Sequence, residues 1–347
     1  MDKTQVASRF KNFAKLECKG SSDFYEFLSL EISEDGEIIE LCSEAQNGQP
    51  VPNLLLGAVH YLLLKGKEHT LKEYYPSIAK EPKNMEGSFV HFKDFCNIYR
   101  DEIVSILKSK IVQTNEVRRC AYLYPIFCLI YSKVKKPLSL IEIGTSAGLQ
   151  LLWDKYSYSY GTNKIYGDRN SSVLINSKIK GHNAPSFLYK YPPVASKVGL
   201  DLHISDLRNS EDYLWLKSLI WPEHKERLDL FERAAKVFRE NPVDLIEGDG
   251  VTLLTDVVEK SPKDTAIIVF HTHVANQIPE SLKYELIEKL KKIGSKRDVF
   301  HIYNNMWDRK LHIDSFINGV EYNHTIGETD GHGRWFEWNV DENLISN

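Results

Sequence analysis

The apolar positions of this chain change period near residue 137. Up to about Lys136 they recur mostly at helical spacing; from Leu138 onward short apolar runs alternate with amphipathic stretches. The run Leu54–Leu64 is apolar almost throughout, follows Pro50 and Pro52 and meets Gly66, which predicts a buried helix too short for a bilayer. A second helix is predicted over Asn115–Tyr131, kinked or split by Pro125. Lys135-Lys136-Pro137 then stops the helical pattern. The reading is a helical N-terminal cap domain over 1–136 and a second domain over 137–347.

The second part alternates in the manner of an α/β protein with a Rossmann-like, doubly wound parallel sheet. Strands are predicted at Leu138–Ile143, Val198–His203, Val243–Glu247, Thr265–Phe270 and Asp298–Tyr303, the fourth apolar throughout as a central parallel strand is. Helices are predicted at Ala147–Tyr156, from Pro222-Glu223 through Leu228, Phe231, Ala235 and Phe238, and over Pro279–Ile293 up to Gly294. Residues 157–197, rich in Tyr, Ser, Asn, Gly and Pro, break the rhythm and read as an insertion with a short hairpin across the ligand-binding edge. The remainder, with Gly319 and Gly327 at turns, reads as antiparallel strands.

Composition narrows the function. A length of 347 residues suits one large domain or two. A net charge of -4 argues against a broad nucleic-acid surface and leaves a small-molecule substrate as the favoured partner. No apolar run approaches the roughly 20 residues of a membrane span, and Met1-Asp2-Lys3-Thr4-Gln5 lacks the apolar core of a secretory signal. Cys18, Cys42, Cys96, Cys120 and Cys128 are scattered without a C-x-x-C pair, the usage of a reducing cytoplasm. His271-x-His273 with His301, His312, His324 or His332 lacks the helical H-E-x-x-H arrangement, and no metal is predicted.

The chemistry-bearing stretch is Ser139-Leu140-Ile141-Glu142-Ile143-Gly144-Thr145-Ser146-Ala147-Gly148-Leu149-Gln150-Leu151-Leu152. An apolar strand carries an acid and turns through G-x-x-x-G, with Ser146 where a dinucleotide fingerprint wants its second glycine. That spacing favours a cofactor without a pyrophosphate. The stretch resembles the first motif of class I S-adenosylmethionine-dependent methyltransferases. As a whole the chain also resembles an uncharacterised bacterial family with a helical region before a methyltransferase-like domain, through Asn115-Glu116 with Arg119, Trp221-Pro222-Glu223 and Gly331-His332-Gly333-Arg334.

The methyltransferase resemblance implies S-adenosylmethionine as cofactor. Glu142 with Gly144, Thr145, Ser146, Ala147 and Gly148 would hold its amino-acid end, Asp201 the ribose, and Asp249 with Gly250 the adenine. If Asp168 ends the second strand, the ribose role moves there. His271, His273 and Asn276, after the fourth strand, would face the methyl acceptor. The two histidines would point the same way on an extended segment and suit proton transfer near neutral pH; a structural role at a strand end is equally open. Asn115, Glu116 and Arg119 would share a helix face, and His332 and Arg334 would project from a tight turn, as acceptor-binding candidates. Tyr156, Tyr158, Tyr160 and Tyr166 are open to ordinary packing or to stacking on a planar substrate. Two other functions fit the same pattern: a non-catalytic binding or scaffolding protein, and an NAD-dependent oxidoreductase, against which Ser146 speaks.

Overall fold

The structure is a computed structural model and describes residues 2–181, 185, 188 and 191–340. Part of the expected insertion (182–184, 186, 187, 189 and 190) and the extreme ends of the two expected domains (Met1 and 341–347) lie outside the described residues. The chain divides into two units, one of residues 1–114 and 208–229, the other of 115–207 and 230–347. The unit boundary thus falls at 114/115, ahead of the 136/137 boundary read from the sequence, and the first unit takes a later segment as well.

The first unit is helical: α1 (Lys3–Phe13), α2 (Asp23–Glu34), α3 (Gly36–Cys42), α4 (Val51–Leu64), α5 (Ser88–Ile98) and α6 (Arg100–Ser109). Helix α4 is the expected apolar helix and is buried along nearly its whole length. Residues 208–229 pack into it: Leu219 and Trp215 fill the space beside Gly57, and buried His60 bonds the Ser218 carbonyl (2.9 Å) and the Ser77 hydroxyl (2.8 Å). Trp221-Pro222-Glu223 precedes a helix rather than opening it. Glu223 accepts from the Ser22 hydroxyl and the Phe24 amide at the start of α2, while Trp221 meets Phe13 and Tyr25 edge-on and tilted.

The second unit begins with α7 (Cys120–Val134), which Pro125 neither splits nor ends. Proline leaves the carbonyl four residues earlier without its helical partner; here the Tyr160 hydroxyl donates to that Ala121 carbonyl at 2.8 Å. Strand β1 (Leu138–Ile143) follows as expected. The helix expected over 147–156 is instead a short 3-10 segment, Gln150–Lys155, with Leu152 outside helical geometry. Ser146 and Gly148 take left-handed φ values of 53° and 73°, and residues 149–154 are all buried, so packing sets their backbone.

The insertion forms β2 (Ser157–Ser159), β3 (Tyr166–Gly167) and β4 (Leu174–Asn176), a small sheet containing the expected hairpin, followed by β5 (Lys178–Lys180). Its tyrosines pack inward: Tyr156 and Tyr158 are fully buried, and Tyr158 stacks on Tyr124 at 4.3 Å. Strand β6 is Val194–Asp201, then come α8 (Ser210–Ser218, unheralded by the sequence reading), α9 (Lys225–Glu240), β7 (Asp244–Glu247), α10 (Gly250–Lys260), β8 (Ala266–His271), α11 (Glu280–Gly294) and β9 (Val299–Tyr303). The chain ends in β10 (Leu311–Ile317), β11 (Val320–Gly327) and β12 (Trp335–Glu337).

The central sheet has the order β11-β10-β9-β8-β1-β6-β7, with β9, β8, β1, β6 and β7 parallel and the β10–β11 hairpin antiparallel at one edge. Asn318 and Gly319, both at positive φ, make the hairpin turn. The fold is thus α/β with a mostly parallel sheet. Ile141, Ile143, Ile267 and Val269 share a core with Val251, Leu254, Leu286 and Leu290 of α10 and α11. Alternation sends Glu142 and Phe270 to the other face, where Phe270 meets Phe127 of α7 at 5.6 Å. The strand order reverses between β1 and β8, the place where open α/β sheets take ligands.

Candidate functional site

At the carboxyl end of β1, Glu142 is buried and accepts the Thr145 hydroxyl at 2.6 Å. Burial pushes its carboxyl up to about 8; the Thr145 bond opposes the rise, the charge of Asp201 adds to it and that of Arg119 opposes it. Asp201 ends β6, the neighbour of β1, and accepts the Ser146 amide (2.7 Å) and the His203 amide (3.0 Å). Burial raises Asp201 too, against these backbone bonds. Asp168 follows β3 of the small sheet and caps its own turn through the Asn170 amide, so the strand-end acid beside β1 is Asp201.

The glycines of the turn answer to packing. Gly144 and Gly148 both have φ of 73°. A Cβ on Gly144 would lie 2.5 Å from a Val274 methyl, and one on Gly148 would lie 2.9 Å from side-chain atoms of Leu245 and Val243. On the side where a Cβ would project, both glycines meet the protein's own side chains. Thr145, Ser146 and Ala147 between them are buried. Asp249 is the N-cap of α10, accepting the Thr252 amide at 2.7 Å, and Gly250 packs against Ile143. No helix N-terminus follows the turn directly, because the expected α-helix is absent there.

Beyond β8 the two histidines part. His271, the last residue of β8, is fully buried and its Nε2 meets Nε2 of His301 at 3.0 Å. Desolvation lowers it to about 4. His273 takes a left-handed φ of 58°, so the segment is not extended and the rings do not point the same way. Its amide donates to Asn304 Oδ1 (2.7 Å) and its Nδ1 faces the Asn305 amide nitrogen (2.7 Å). Burial first, then the charges of Arg119 and His332, lowers His273 to about 3. Asn276 is exposed on the short helix Ala275–Gln277, away from this cluster's hydrogen bonds among the described residues.

The segment before α7 completes the site. Asn115 and Glu116 precede the short 3-10 helix Val117–Arg119, so the expected shared helical face does not form. Glu116 and Arg119 are nevertheless both buried and both reach the 331–332 turn. Glu116 meets His332 Nδ1 at 3.1 Å; Arg119 donates to the Gly331 carbonyl (3.0 Å) and, through Nη1, to the Thr272 carbonyl (3.2 Å). Arg334 instead forks onto Asp330, both bonds at 2.9 Å, with its side chain 62% exposed. Gln150 bonds the Thr272 hydroxyl at 2.9 Å. The 331–334 turn is backed by the insertion, where Ser177 donates to the Gly333 carbonyl and β5 pairs with β12.

A family model described as "Uncharacterized protein conserved in bacteria (DUF2332)" matches residues 7–338. The chain belongs to that family. No curated protein and no solved structure matches it. The family match spans every residue named in this site.

Among the described residues, no helix is long and apolar enough to cross a membrane, and no three His, Cys, Asp or Glu side chains converge as a set able to hold a metal ion. The fold gathers Glu116, Arg119, Glu142, Thr145, His273 and His332 at the carboxyl ends of β1 and β8. It leaves Asn276 and Arg334 outward and uses Asp249 as a cap. Tyr122, Gln150, Asn304 and Asn305 lie in the same cluster and are not among the candidates read from the sequence. The usable signal was position: Asn304-Asn305 follows β9 as His271-Thr272-His273 closes β8.

Proposed function

We propose that the chain binds S-adenosylmethionine at the carboxyl ends of β1 and β6 and transfers its methyl group to a small or medium-sized acceptor beside β8 and β9. The observation that carries this reading is the pair of acids Glu142 and Asp201 at the ends of two adjacent parallel strands, next to the point where the strand order reverses. Glu142 and Asp201 fit the cofactor. A buried acid held up at about 8 is relieved by a cationic neighbour, which the cofactor's amino group provides. Asp201 ends the strand beside β1, where a carboxylate suits ribose hydroxyls as an acceptor of hydrogen bonds. The Ser146 amide is committed to Asp201, which speaks against a pyrophosphate there and so against NAD.

The bound cofactor would supply an activated methyl group; the chain's own residues position the acceptor and exclude water. With the Asn305 amide nitrogen facing Nδ1, that ring atom accepts, and the proton of the neutral His273 ring sits on Nε2. His273 therefore orients an acceptor as a donor and does not take its proton at Nε2. Melting the full chain with S-adenosylmethionine, S-adenosylhomocysteine, NAD or no ligand tests the reading. A ligand at a hundred times its Kd stabilises by about 2.7 kcal/mol; the expected result is a shift with the adenosyl compounds alone, and no shift sinks the proposal.

A second reading, a protein that keeps the fold to bind without turnover, is favoured by Val274 over Gly144 and by Asp249 capping α10. Cofactor binding with no methyl transfer to any acceptor in a broad screen would select it.

A further inference from the structure

Three buried donors beside Arg119 have no partner. The Tyr122 hydroxyl lies beside Asn304 and Thr272, close enough for both to oppose the upward push that burial gives the phenol, yet it makes no hydrogen bond of good geometry. Asn304 is fully buried; its Oδ1 is taken by the His273 amide and its Nδ2 has no partner. His273 Nε2, the protonated nitrogen of the neutral ring, is buried and likewise unpartnered. A buried donor left unmade costs about 1–3 kcal/mol, so three together in one cluster call for an acceptor. Arg119 supplies the charge: its guanidinium spans the Gly331 and Thr272 carbonyls and acts electrostatically on both Tyr122 and His273.

We propose that Arg119, Tyr122, His273 and Asn304 form a binding site for the carboxylate group of a small molecule. The donor set is three neutral groups and one guanidinium, matched to a planar monoanion. A phosphate dianion would bring a second negative charge next to buried Glu116 with no second cation among these four residues to meet it. As the acceptor subsite, the assignment rests on the methyl-transfer reading and names the acceptor's class, a carboxylic acid; as an anion site it is measured without any adenosyl compound.

The experiment is thermal melting and calorimetric titration of the full chain with sodium formate, sodium acetate and inorganic phosphate, each against sodium chloride at matched ionic strength. Formate and acetate should stabilise the protein beyond chloride, and phosphate should not. Tyr122→Phe should weaken acetate binding at least about tenfold, the cost of one hydrogen bond to a charged group. Its melting temperature should not fall, because the hydroxyl has no partner to lose. Asn304→Asp keeps the acceptor for the His273 amide and should abolish acetate binding by charge. Absence of a carboxylate-specific response, a response to phosphate alone, or unchanged acetate binding in Tyr122→Phe overturns the proposal. An adenosyl response without an acetate response sinks only this inference; the reverse sinks only the methyl-transfer reading.

Discussion

On the β6–β7 side of the carboxyl edge, the strand-end acids are held by backbone amides: Asp201 by Ser146 and His203, Glu247 by Ile204, Asp249 by Thr252. On the β8–β9 side the polar groups are mostly amides, hydroxyls and imidazoles from three separate segments, and several of their buried donors lack partners. The first side combines local turns, in which His203 serves Asp201 and Thr252 serves Asp249, with amides that reach across from neighbouring strand ends, Ser146 to Asp201 and Ile204 to Glu247. Its glycine gaps are filled by Val274, Leu245 and Val243. The second is assembled only by tertiary packing. A motif that is easy to read in a sequence is easy to read because it is local, and local order also serves to hold the backbone. Unsatisfied buried groups, which point more directly to a missing ligand, arise where distant segments meet.

The sharpest way to break this contrast is at Gly144. Gly144→Val places a β-branched side chain at φ 73° against Val274. Strain and overpacking together should destabilise the second unit by about 3–4 kcal/mol, read by denaturant unfolding. Val274→Ala in the same chain should recover part of that loss, a non-additivity expected only for residues in contact. If the double variant shows no coupling, the glycine is not there for Val274, and the turn is open to a ligand after all.

Glu142→Gln comes next. A carboxyl whose folded value is raised, from 4.5 to about 8, contributes stability that is present below pH 4.5 and lost as pH rises through 8. The variant should therefore be more stable than wild type at pH 8 by on the order of 4 kcal/mol and no more stable at pH 4. The same substitution should remove the response to S-adenosylmethionine. Equal melting curves at pH 8 would show that Glu142 already has a cationic neighbour.

The buried histidine pair acts with the opposite sign. His271, lowered from 6.5 to about 4, is kept neutral by burial, so its stabilising contribution is present above pH 6.5 and lost as pH falls through 4. His271→Gln should flatten the acid limb of the stability profile by on the order of 3 kcal/mol between those values. A variant with the wild-type slope would place the acid sensitivity elsewhere.

How far the sequence discloses this molecule follows from the same distinction. Strands β1 and β8 are buried throughout and therefore appear as mainly apolar runs, interrupted in β1 by Ser139 and Glu142 and closed in β8 by His271; α4 is legible for the same reason. Gln150–Lys155 is not, since its residues suit a helix and only tertiary burial of Leu149, Leu151 and Trp153 fixes a tighter turn. Pro125 misleads because its partnerless carbonyl is served by Tyr160, far away along the chain. At the site, Glu116 and Arg119 are reached through a helical face that does not form, and His332 through a tight turn that does. Tyr122 was hidden inside an apolar stretch where nothing separates a packed phenol from one with an idle hydroxyl.

Asp249 provides the smallest effect and the cleanest division between the two sides. It occupies the position at which the resemblance places an adenine ligand, and its carboxylate accepts the Thr252 amide at 2.7 Å as the N-cap of α10. Loss of a cap costs about 1 kcal/mol, whereas loss of a ligand contact shows as weaker binding and leaves stability alone. Asp249→Ala should lower stability by that amount and leave adenosyl affinity unchanged, and Asp249→Ser, which keeps a capping oxygen, should restore most of the loss. Should Asp249→Ser be as stable as wild type yet bind S-adenosylmethionine more weakly, the cap and the ligand share one carboxylate, and the β7 end belongs to the binding site as much as to the scaffold.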